Sequence, residues 1–142
     1  MKVQLKRLDD AFHFEASNEQ GKTMQFDAGP DIGGNNKGVR PMQTLLMALG
    51  GCSAMDVVSI LNKQRQKLDD FQIEIDGERE AGKEPSLFVN IHMIYKLAGN
   101  VEPEKAKRAV ELSMEKYCSV AKTLEKTAVI TYDTLLNGTK IN

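Results

Sequence analysis

Residues 41–66 read PMQTLLMALGGCSAMDVVSILNKQRQ, and this stretch predicts a long central helix. Its opening proline, Pro41, suits the first turn of an α-helix. From Thr44 to Met55 the sequence carries no charge and is apolar on every face of that helix. A helix that is apolar all round has to be buried on every side. One small chain rarely covers such a helix, so we expect a partner subunit to cover part of it.

The pair Gly50-Gly51 lies in the middle of this predicted helix, directly before Cys52. Each glycine costs about 1 kcal/mol of helix stability relative to alanine. Such a pair is typical of a place where another backbone or a ligand comes close. The predicted helix therefore combines an apolar surface, a point of close approach and a thiol.

Short segments on both sides of the helix alternate apolar and polar residues. This period-two pattern is typical of strands with one buried and one wetter face. The predicted strands are centred on Val3 and Leu5, on Phe12 and Phe14, on Met24 and Phe26, on Phe71 to Ile75, on Leu87 to Leu97 and on Ala128 to Tyr132. In the fifth strand the predicted inward residues are Leu87, Val89, Ile91, Met93, Tyr95 and Leu97.

Two further helices are predicted between the fifth and the sixth strand. Pro103 opens the first of them, which extends to Tyr117. Its predicted inward residues are Ala106, Val110, Met114 and Tyr117. A short third helix covers residues 118–124. The order βββ-α-ββ-αα-β favours the α+β class over alternating βα units, and residues 1–142 are predicted to form a single domain.

Composition excludes several classes of function. A net charge of −1, the absence of tryptophan and an aromatic content of 6% argue against a nucleic-acid partner. The uncharged stretch from Pro41 to Met55 is too short and too interrupted by glycine to span a bilayer. The first ten residues, MKVQLKRLDD, lack the apolar segment of a secretory signal. We therefore expect a cytoplasmic protein without a membrane partner, whose cysteines are reduced.

Metal binding is not expected from the sequence. His13 and His92 lie on predicted strands with no cysteine or carboxylate at ligand spacing, so no zinc site is predicted. The seven methionines follow apolar core positions, and we interpret them as packing residues rather than as ligands.

The chemistry of the chain rests on its two cysteines, Cys52 and Cys118. Cys118 stands at a predicted helix start, where amide donors and the helix dipole lower the pKa of a thiol. Cys52 lies among apolar residues with Asp56 one turn later, so its thiolate needs a cation. Arg40 or Lys37, in the preceding loop, could supply it. A thiolate can open a peroxide O–O bond to give a sulfenic acid, which a second thiol condenses to a disulfide.

Two segments resemble motifs of the OsmC-like family, which includes the organic hydroperoxide resistance proteins. Residues 40–58, RPMQTLLMALGGCSAMDVV, resemble the central helix of that family. Residues 116–124, KYCSVAKTL, resemble its second cysteine motif, which is usually Cys-Pro-Val-Ser. The element order matches too, so the resemblance covers nearly the whole chain. The glycine pair before Cys52 is most like the largely uncharacterised OsmC-related branch.

The resemblance implies an intertwined homodimer with buried central helices that carry Cys52 and with active sites at the subunit interface. It implies Cys52 as the peroxidatic thiol and Cys118 as the resolving thiol. Characterised members activate the first thiol with an arginine and a glutamate. Here Arg40 is the nearest arginine, and Met42 and Gln43 stand where the family has glutamate.

The resemblance also assigns Met42, Gln43 and Gly51 to a substrate pocket. The predicted function is a thiol-dependent peroxidase that reduces organic or lipid hydroperoxides in stress defence, with Arg40 stabilising the Cys52 thiolate. No bound cofactor is implied, and the reductant is an external dithiol or lipoyl-type group. The alternative, favoured by Met42 and Gln43, is a non-catalytic OsmC-fold protein that binds a small molecule or senses redox state.

Overall fold

The structure, a computed structural model, describes residues 1–142 and groups them into two compact units, residues 1–45 and 46–142. The strands are β1 Val3–Arg7, β2 Phe14–Asn18, β3 Thr23–Phe26, β4 Lys67–Arg79, β5 Phe88–Asn100, β6 Val129–Leu136 and β7 Thr139–Lys140. The helices are α1 Pro41–Lys63, α2 Pro103–Leu112 and α3 Ser119–Leu124. The predicted α+β class and element order are confirmed, with β7 added at the end. The single domain stays a prediction.

The first unit is built around an antiparallel sheet with the strand order β1-β2-β3. The predicted second strand begins at Phe14 rather than at Phe12. Its start is delayed because the Asp9 carboxylate accepts the backbone N–H groups of Ala11 and His13 at 2.9 and 3.2 Å. These hydrogen bonds close a turn and leave Phe12 46% exposed.

The second unit pairs the remaining strands in the order β4-β5-β6-β7. The pairs β4-β5 and β6-β7 are antiparallel, whereas β5 and β6 are parallel. A parallel pair requires a crossover connection, which α2 and α3 supply. Four inward residues of β5 are buried as the alternation predicts: Ile91, Met93, Tyr95 and Leu97.

The predicted inward face of the fifth strand is wrong at its first position. Leu87 is 41% exposed, whereas Phe88 is 5% exposed. Asn90 pairs with Glu78, but the next residue of β4, Arg79, pairs with Phe88. The register shift is a β-bulge, and one extra residue in β5 reverses which side chains point inward.

The second predicted helix is interrupted by a π turn. α2 ends at Leu112, and residues 113–117 form the π turn, in which the Cys118 N–H donates to the Ser113 carbonyl at 2.8 Å. A π turn holds one residue more than an α turn, so the side chains beyond it are rotated about the helix axis. Tyr117 is therefore 49% exposed, and the prediction that it faces inward is wrong. The other predicted inward residues are buried: Ala106, Val110 and Met114.

Strand β7 is absent from the prediction, although the sequence contains a signal for it. Asn137-Gly138 is a strong two-residue hairpin signal because both residue types readily adopt positive φ. Their φ values are 49° and 82°, and they join β6 to β7.

Helix α1 buries one stripe of residues within this chain rather than its whole surface. The stripe consists of Leu49, Ser53, Val57 and Leu61, each four residues from the next. Apolar side chains outside the stripe are exposed: Leu45, Met47, Met55 and Val58. A single chain thus leaves much of α1 uncovered, and its burial by a partner subunit stays a prediction.

By length and composition alone, α1 could cross a membrane, since an 18-residue window reaches a mean hydropathy of 1.7. The uncharged stretch of the sequence analysis stops at Met55, whereas the helix continues to Lys63. The core helix of a soluble protein meets the same criteria. The finding therefore does not assign α1 to a membrane.

The two glycines of α1 have different surroundings. A Cβ on Gly50 would lie 2.8 Å from Cδ1 of Ile75 on β4. A Cβ on Gly51 would meet nothing within 4 Å. The close approach predicted for the pair therefore occurs at Gly50, where the side chain of Ile75 comes near the helix backbone. Nothing in this chain comes comparably close to Gly51.

Candidate active site

The two cysteines are distant in sequence and lie side by side in the second unit. The Sγ atoms of Cys52 and Cys118 and a carboxylate oxygen of Asp56 all lie within 4.8 Å of one another. Both cysteines are free thiols. The sequence spacing of the two cysteines does not show whether their sulfurs are close. They are close because the crossover between β5 and β6 brings the start of α3 next to α1.

The two thiols differ in accessibility. Cys52 lies in α1, next to Ser53 of the buried stripe, and is partly exposed. Cys118 is 0% exposed. It caps the N-terminus of α3, as predicted, and its Sγ accepts the backbone N–H of Ala121 at 3.4 Å. A molecule from solvent therefore reaches Cys52 more readily than Cys118.

The predicted low pKa of Cys118 is wrong. Burial removes water from the thiolate and raises the pKa of Cys118 to about 11. The Ala121 amide opposes this shift, and the neighbouring Cys52 adds to it. The helix that Cys118 caps has six residues, and its N-terminus does not offset the loss of water. Cys118 is thus protonated near neutral pH, which suits a resolving thiol better than an attacking one.

Asp56 is held at the end of a chain of buried hydroxyl groups. Ser113 donates to Oδ2 of Asp56 at 3.1 Å. Ser53 Oγ lies 2.9 Å from Ser113 Oγ and 2.6 Å from the Tyr95 hydroxyl. Each hydroxyl has one proton, so an ionised Asp56 sets the direction of donation from Tyr95 through Ser53 to Ser113. The chain connects α1, β5 and the π turn.

Apolar groups close the far end of this chain. Tyr95 is fully buried, and its hydroxyl lies 3.0 Å from Met114 Sδ and 3.6 Å from Met93 Sδ. Its ring stacks on Phe71 with 6.3 Å between centroids and meets the Tyr132 ring edge-on. Burial raises the pKa of Tyr95, so the phenol keeps its proton and remains a donor.

Sequence reasoning missed the hydroxyl chain because its members carry no local signal. Tyr95 belongs to an apolar strand alternation, and Ser113 lies in a segment with the spacing of a regular helix. Ser113 directly follows α2 on the buried face that holds Ala109 and Val110, and nothing in the sequence shows that this face meets Asp56 of α1.

Cys52, Asp56 and Cys118 are also the one compact group of metal-binding residue types in the chain. Two thiols and a carboxylate could hold a soft ion such as Zn²⁺ with one position open. The two thiols are free and lie close enough to react with each other, and we assign the group to thiol chemistry.

Arg40 is held by the loop of the first unit. Its guanidinium donates to the carbonyls of Asp27 and Gly38 at 2.8 and 3.2 Å and contacts the Asn36 side chain. The buried Asp27 carboxylate accepts backbone N–H groups from residues 37, 35 and 28. These bonds, that from Lys37 foremost, hold the pKa of Asp27 below its usual range. The contacts order the glycine-rich loop, and the role of Arg40 towards Cys52 stays a prediction.

Of the predicted pocket residues, Gln43 has a structural role. Its Oε1 accepts the Arg40 backbone N–H at 2.9 Å, which is one half of a capping box at the start of α1. Met42 is half-buried and Gly51 is exposed. The assignment of these three residues to a substrate pocket stays a prediction.

A groove of about 340 Å³ opens beside Asp56 and was not predicted from the sequence. It is lined by Asp56, Ser59, Ile60, Lys63, Gln64, Leu112 and Tyr117. Ile60, Leu112 and the Tyr117 ring give the groove an apolar wall. Its lining comes from α1 and from the end of α2 with the π turn, which the sequence alone does not bring together.

Comparisons with known proteins agree on one family. The sequence profile described as OsmC-like protein matches residues 34–133. Protein YhfA of Escherichia coli strain K12 is 45% identical over 103 residues, which are 72% of this chain and 76% of YhfA. The crystal structure of a hypothetical protein from Aquifex aeolicus VF5 is 32% identical, with a TM-score of 0.78 and 96% of each chain covered.

More distant proteins have the same fold. The crystal structure of an organic hydroperoxide resistance protein OsmC from Legionella pneumophila is 13% identical to this chain. It superimposes with a TM-score of 0.71, covering 94% of this chain and 96% of that one. At such low identity the likeness shows the fold alone. The profile match includes both Cys52 and Cys118 and spans well over half of the sequence, so this chain belongs to the OsmC-like protein family.

Proposed function

We propose that this protein is a thiol-dependent peroxidase that reduces organic or lipid hydroperoxides, with Cys52 as the attacking and Cys118 as the resolving thiol. One observation carries the proposal: an accessible thiol and a buried thiol lie within 4.8 Å of each other. The name of the Legionella protein, an organic hydroperoxide resistance protein, supports the class of substrate.

In the first step the Cys52 thiolate attacks the peroxide. A sulfur–oxygen bond forms, the O–O bond breaks, and the departing alkoxide takes a proton and leaves as an alcohol. Cys52 is oxidised to a sulfenic acid while the peroxide is reduced. In this proposal Arg40 stabilises the thiolate, and the apolar wall of the groove favours an organic substrate over hydrogen peroxide.

In the second step Cys118 attacks the sulfenic sulfur of Cys52, the S–OH bond breaks, and water leaves. The bond formed is about 2 Å long, so the two sulfurs approach each other by at most about 3 Å. An external dithiol or lipoyl-type reductant then restores both thiols, and no bound cofactor takes part.

Peroxide consumption by the purified protein with dithiothreitol tests the proposal. We expect cumene hydroperoxide to be consumed faster than hydrogen peroxide. Cys52→Ser should lower turnover at least about 1000-fold because it removes the nucleophile. Cys118→Ser should still form a sulfenic acid but no intramolecular disulfide. Turnover no faster than in buffer would contradict the peroxidase function.

A homodimer and a cytoplasmic location are part of the proposal. Met47 and Met55 on α1 are 49% and 76% exposed. Burying the Met55 side chain against a partner would contribute about 2 kcal/mol. Light scattering should therefore show a dimer for the wild type and weaker association for Met55→Lys. A wild-type monomer at micromolar concentration would reject the dimer, and cell fractionation tests the location.

The groove beside Asp56 supports a second candidate function, the binding of a small apolar molecule without catalysis. Thermal unfolding with and without an unreactive fatty alcohol separates the two functions. A binding protein at a ligand concentration 100 times Kd gains about 2.7 kcal/mol of stability. A clear rise in Tm together with no peroxide turnover would favour this candidate.

A further inference from the structure

Asp56 is poorly placed for the first step of the proposed reaction and well placed for the second. Its carboxylate lies within 4.8 Å of the Cys52 sulfur. A negative charge at this distance repels the thiolate that must attack the peroxide. Once Cys52 is a sulfenic acid its sulfur carries no charge, and the repulsion is gone. The carboxylate therefore suits a step that follows the attack.

The second step needs a proton to move. Cys118 is a buried thiol and has to lose its proton to become a nucleophile. The hydroxyl that leaves Cys52 has to gain a proton, because a buried site does not stabilise free hydroxide. Asp56 is the one acidic side chain that shares the 4.8 Å group with both sulfurs. A single carboxylate at this place could serve both needs.

The hydroxyl chain leaves one oxygen of Asp56 free for this task. Ser113 is the only protein group that donates to Asp56, and its bond is to Oδ2. Oδ1 has no protein donor and can accept a proton. The donation that runs from Tyr95 through Ser53 to Ser113 stabilises the carboxylate and fixes its orientation.

We propose that Asp56 transfers the proton during disulfide formation, an inference that rests on the proposed peroxidase function. Asp56 accepts the thiol proton of Cys118 as the Cys118 sulfur bonds to the Cys52 sulfur. The S–OH bond of Cys52 breaks, and Asp56 delivers the proton to the departing hydroxyl, which leaves as water. One sulfenic acid and one thiol thus become one disulfide and one water, and Asp56 ends ionised, as it began. Ser113 acts as a positioning residue.

The first test follows the two steps separately in the full-length reduced protein. One equivalent of cumene hydroperoxide is added, samples are quenched with dimedone, and intact mass distinguishes the dimedone adduct of the sulfenic acid from the disulfide. Asp56→Asn should slow disulfide formation about 100-fold, the low end of general acid–base effects, and the dimedone adduct should accumulate. Disulfide formation as fast in Asp56→Asn as in the wild type would overturn the inference.

The matched control is Asp69→Asn, the same chemical change on β4 at a carboxylate whose side chain is 58% exposed. It should leave both steps unchanged. Asn at position 56 keeps an oxygen that accepts the Ser113 hydroxyl, so the variant tests proton transfer with little change in packing.

A second test separates a failure of this inference from a failure of the proposed function. The disulfide reagent 5,5′-dithiobis(2-nitrobenzoate) forms a mixed disulfide with the accessible Cys52 and releases one aromatic thiolate. Attack by Cys118 then releases a second thiolate, which needs no proton to leave. Because no peroxide takes part, a slower second release in Asp56→Asn supports proton acceptance by Asp56 even if the wild type reduces no peroxide. Equal rates of second release would overturn it.

Two further variants distinguish a chemical role from a structural one. Ser113→Ala should slow the second release by about tenfold, since the carboxylate loses its anchor but remains present. Asp56→Glu should recover part of the rate that Asp56→Asn loses, because a carboxylate is restored. Loss of the second release in Asp56→Glu to the level of Asp56→Asn would contradict proton transfer by this side chain.

Discussion

The surroundings of Cys52 and of Cys118 differ in the properties that govern thiol chemistry. Cys52 lies in the middle of a regular helix of 23 residues and is partly exposed. Cys118 follows an irregular turn, caps a helix of six residues and is fully buried. At Cys118 the pKa is raised although the thiol caps a helix, because the loss of water on burial outweighs the amide donors.

The two regions also differ in how their side chains are aimed. A regular helix places Cys52 and Asp56 on one face through its own periodicity. The Cys118 region needs the π turn of residues 113–117, after which Cys118 rather than Tyr117 is buried and lies beside Cys52. One half of the site is thus built by local helix geometry and the other by a departure from it.

The largest expected effect comes from changing the number of residues in the π turn. Inserting one alanine after Glu115, an exposed residue of the turn, adds a residue before Cys118 and should rotate Cys118 away from Cys52 by about 100°. We expect the intramolecular disulfide to be lost entirely while far-UV circular dichroism stays near that of the wild type. Glu115→Ala, which keeps the residue count, is the control and should still form the disulfide. Disulfide formation in the insertion variant would show that the turn does not direct Cys118 towards Cys52.

Alkylation rates should separate the two thiols next. At pH 8, a thiol with a pKa of about 11 is ionised to about one part in a thousand. We expect iodoacetamide to modify Cys52 at least about 100-fold faster than Cys118, as measured by peptide mass spectrometry in the native protein. In urea the two rates should become similar. Equal rates in the native state would contradict the difference in burial.

The raised pKa of Cys118 predicts a loss of stability in alkaline solution. The folded thiol binds its proton more tightly than the unfolded thiol, whose ordinary pKa is 9.0. The free energy of unfolding is therefore unaffected below about pH 9 and falls as the pH rises towards about 11. The expected loss is about 2 kcal/mol relative to Cys118→Ser, which lacks the titrating group. If the free energy of unfolding falls equally with pH in the wild type and in Cys118→Ser, the ionisation of Cys118 is not the cause of the loss.

The smallest expected effect is that of the hydroxyl chain on stability. Ser113→Ala removes the hydroxyl that donates to the half-buried Asp56 and leaves the buried Ser53 with only the Tyr95 hydroxyl as a hydroxyl partner, so we expect the free energy of unfolding to fall by about 1 to 2 kcal/mol. Urea unfolding measures this change. Ser119→Ala, at an exposed position on α3, should change it by less than about 0.5 kcal/mol. A loss in Ser113→Ala no larger than in Ser119→Ala would show that the chain is not a stabilising network.

Most of the fold could be predicted from the sequence because its signals are local. Alternation along Phe71 to Ile75 and along Ile91 to Leu97 depends only on the period of a strand, and Pro41 and Pro103 mark helix starts through their fixed φ. The two errors about which side chain points inward, at Leu87 and at Tyr117, came where one residue is added to a regular element. Because of the bulge near Glu78, Phe88 is buried in place of Leu87. Because of the π turn, Cys118 is buried in place of Tyr117.

From the sequence alone followed most of the element types, the two thiols and the resemblance to the OsmC-like family. The three-dimensional structure was needed to show that the sulfurs of Cys52 and Cys118 lie within 4.8 Å of each other, that Cys118 is buried and that Asp56 lies beside both. The reason is physical. Helix and strand periods act between near neighbours, whereas the pKa of a thiol and the reach of a carboxylate depend on atoms that the chain brings together from distant positions.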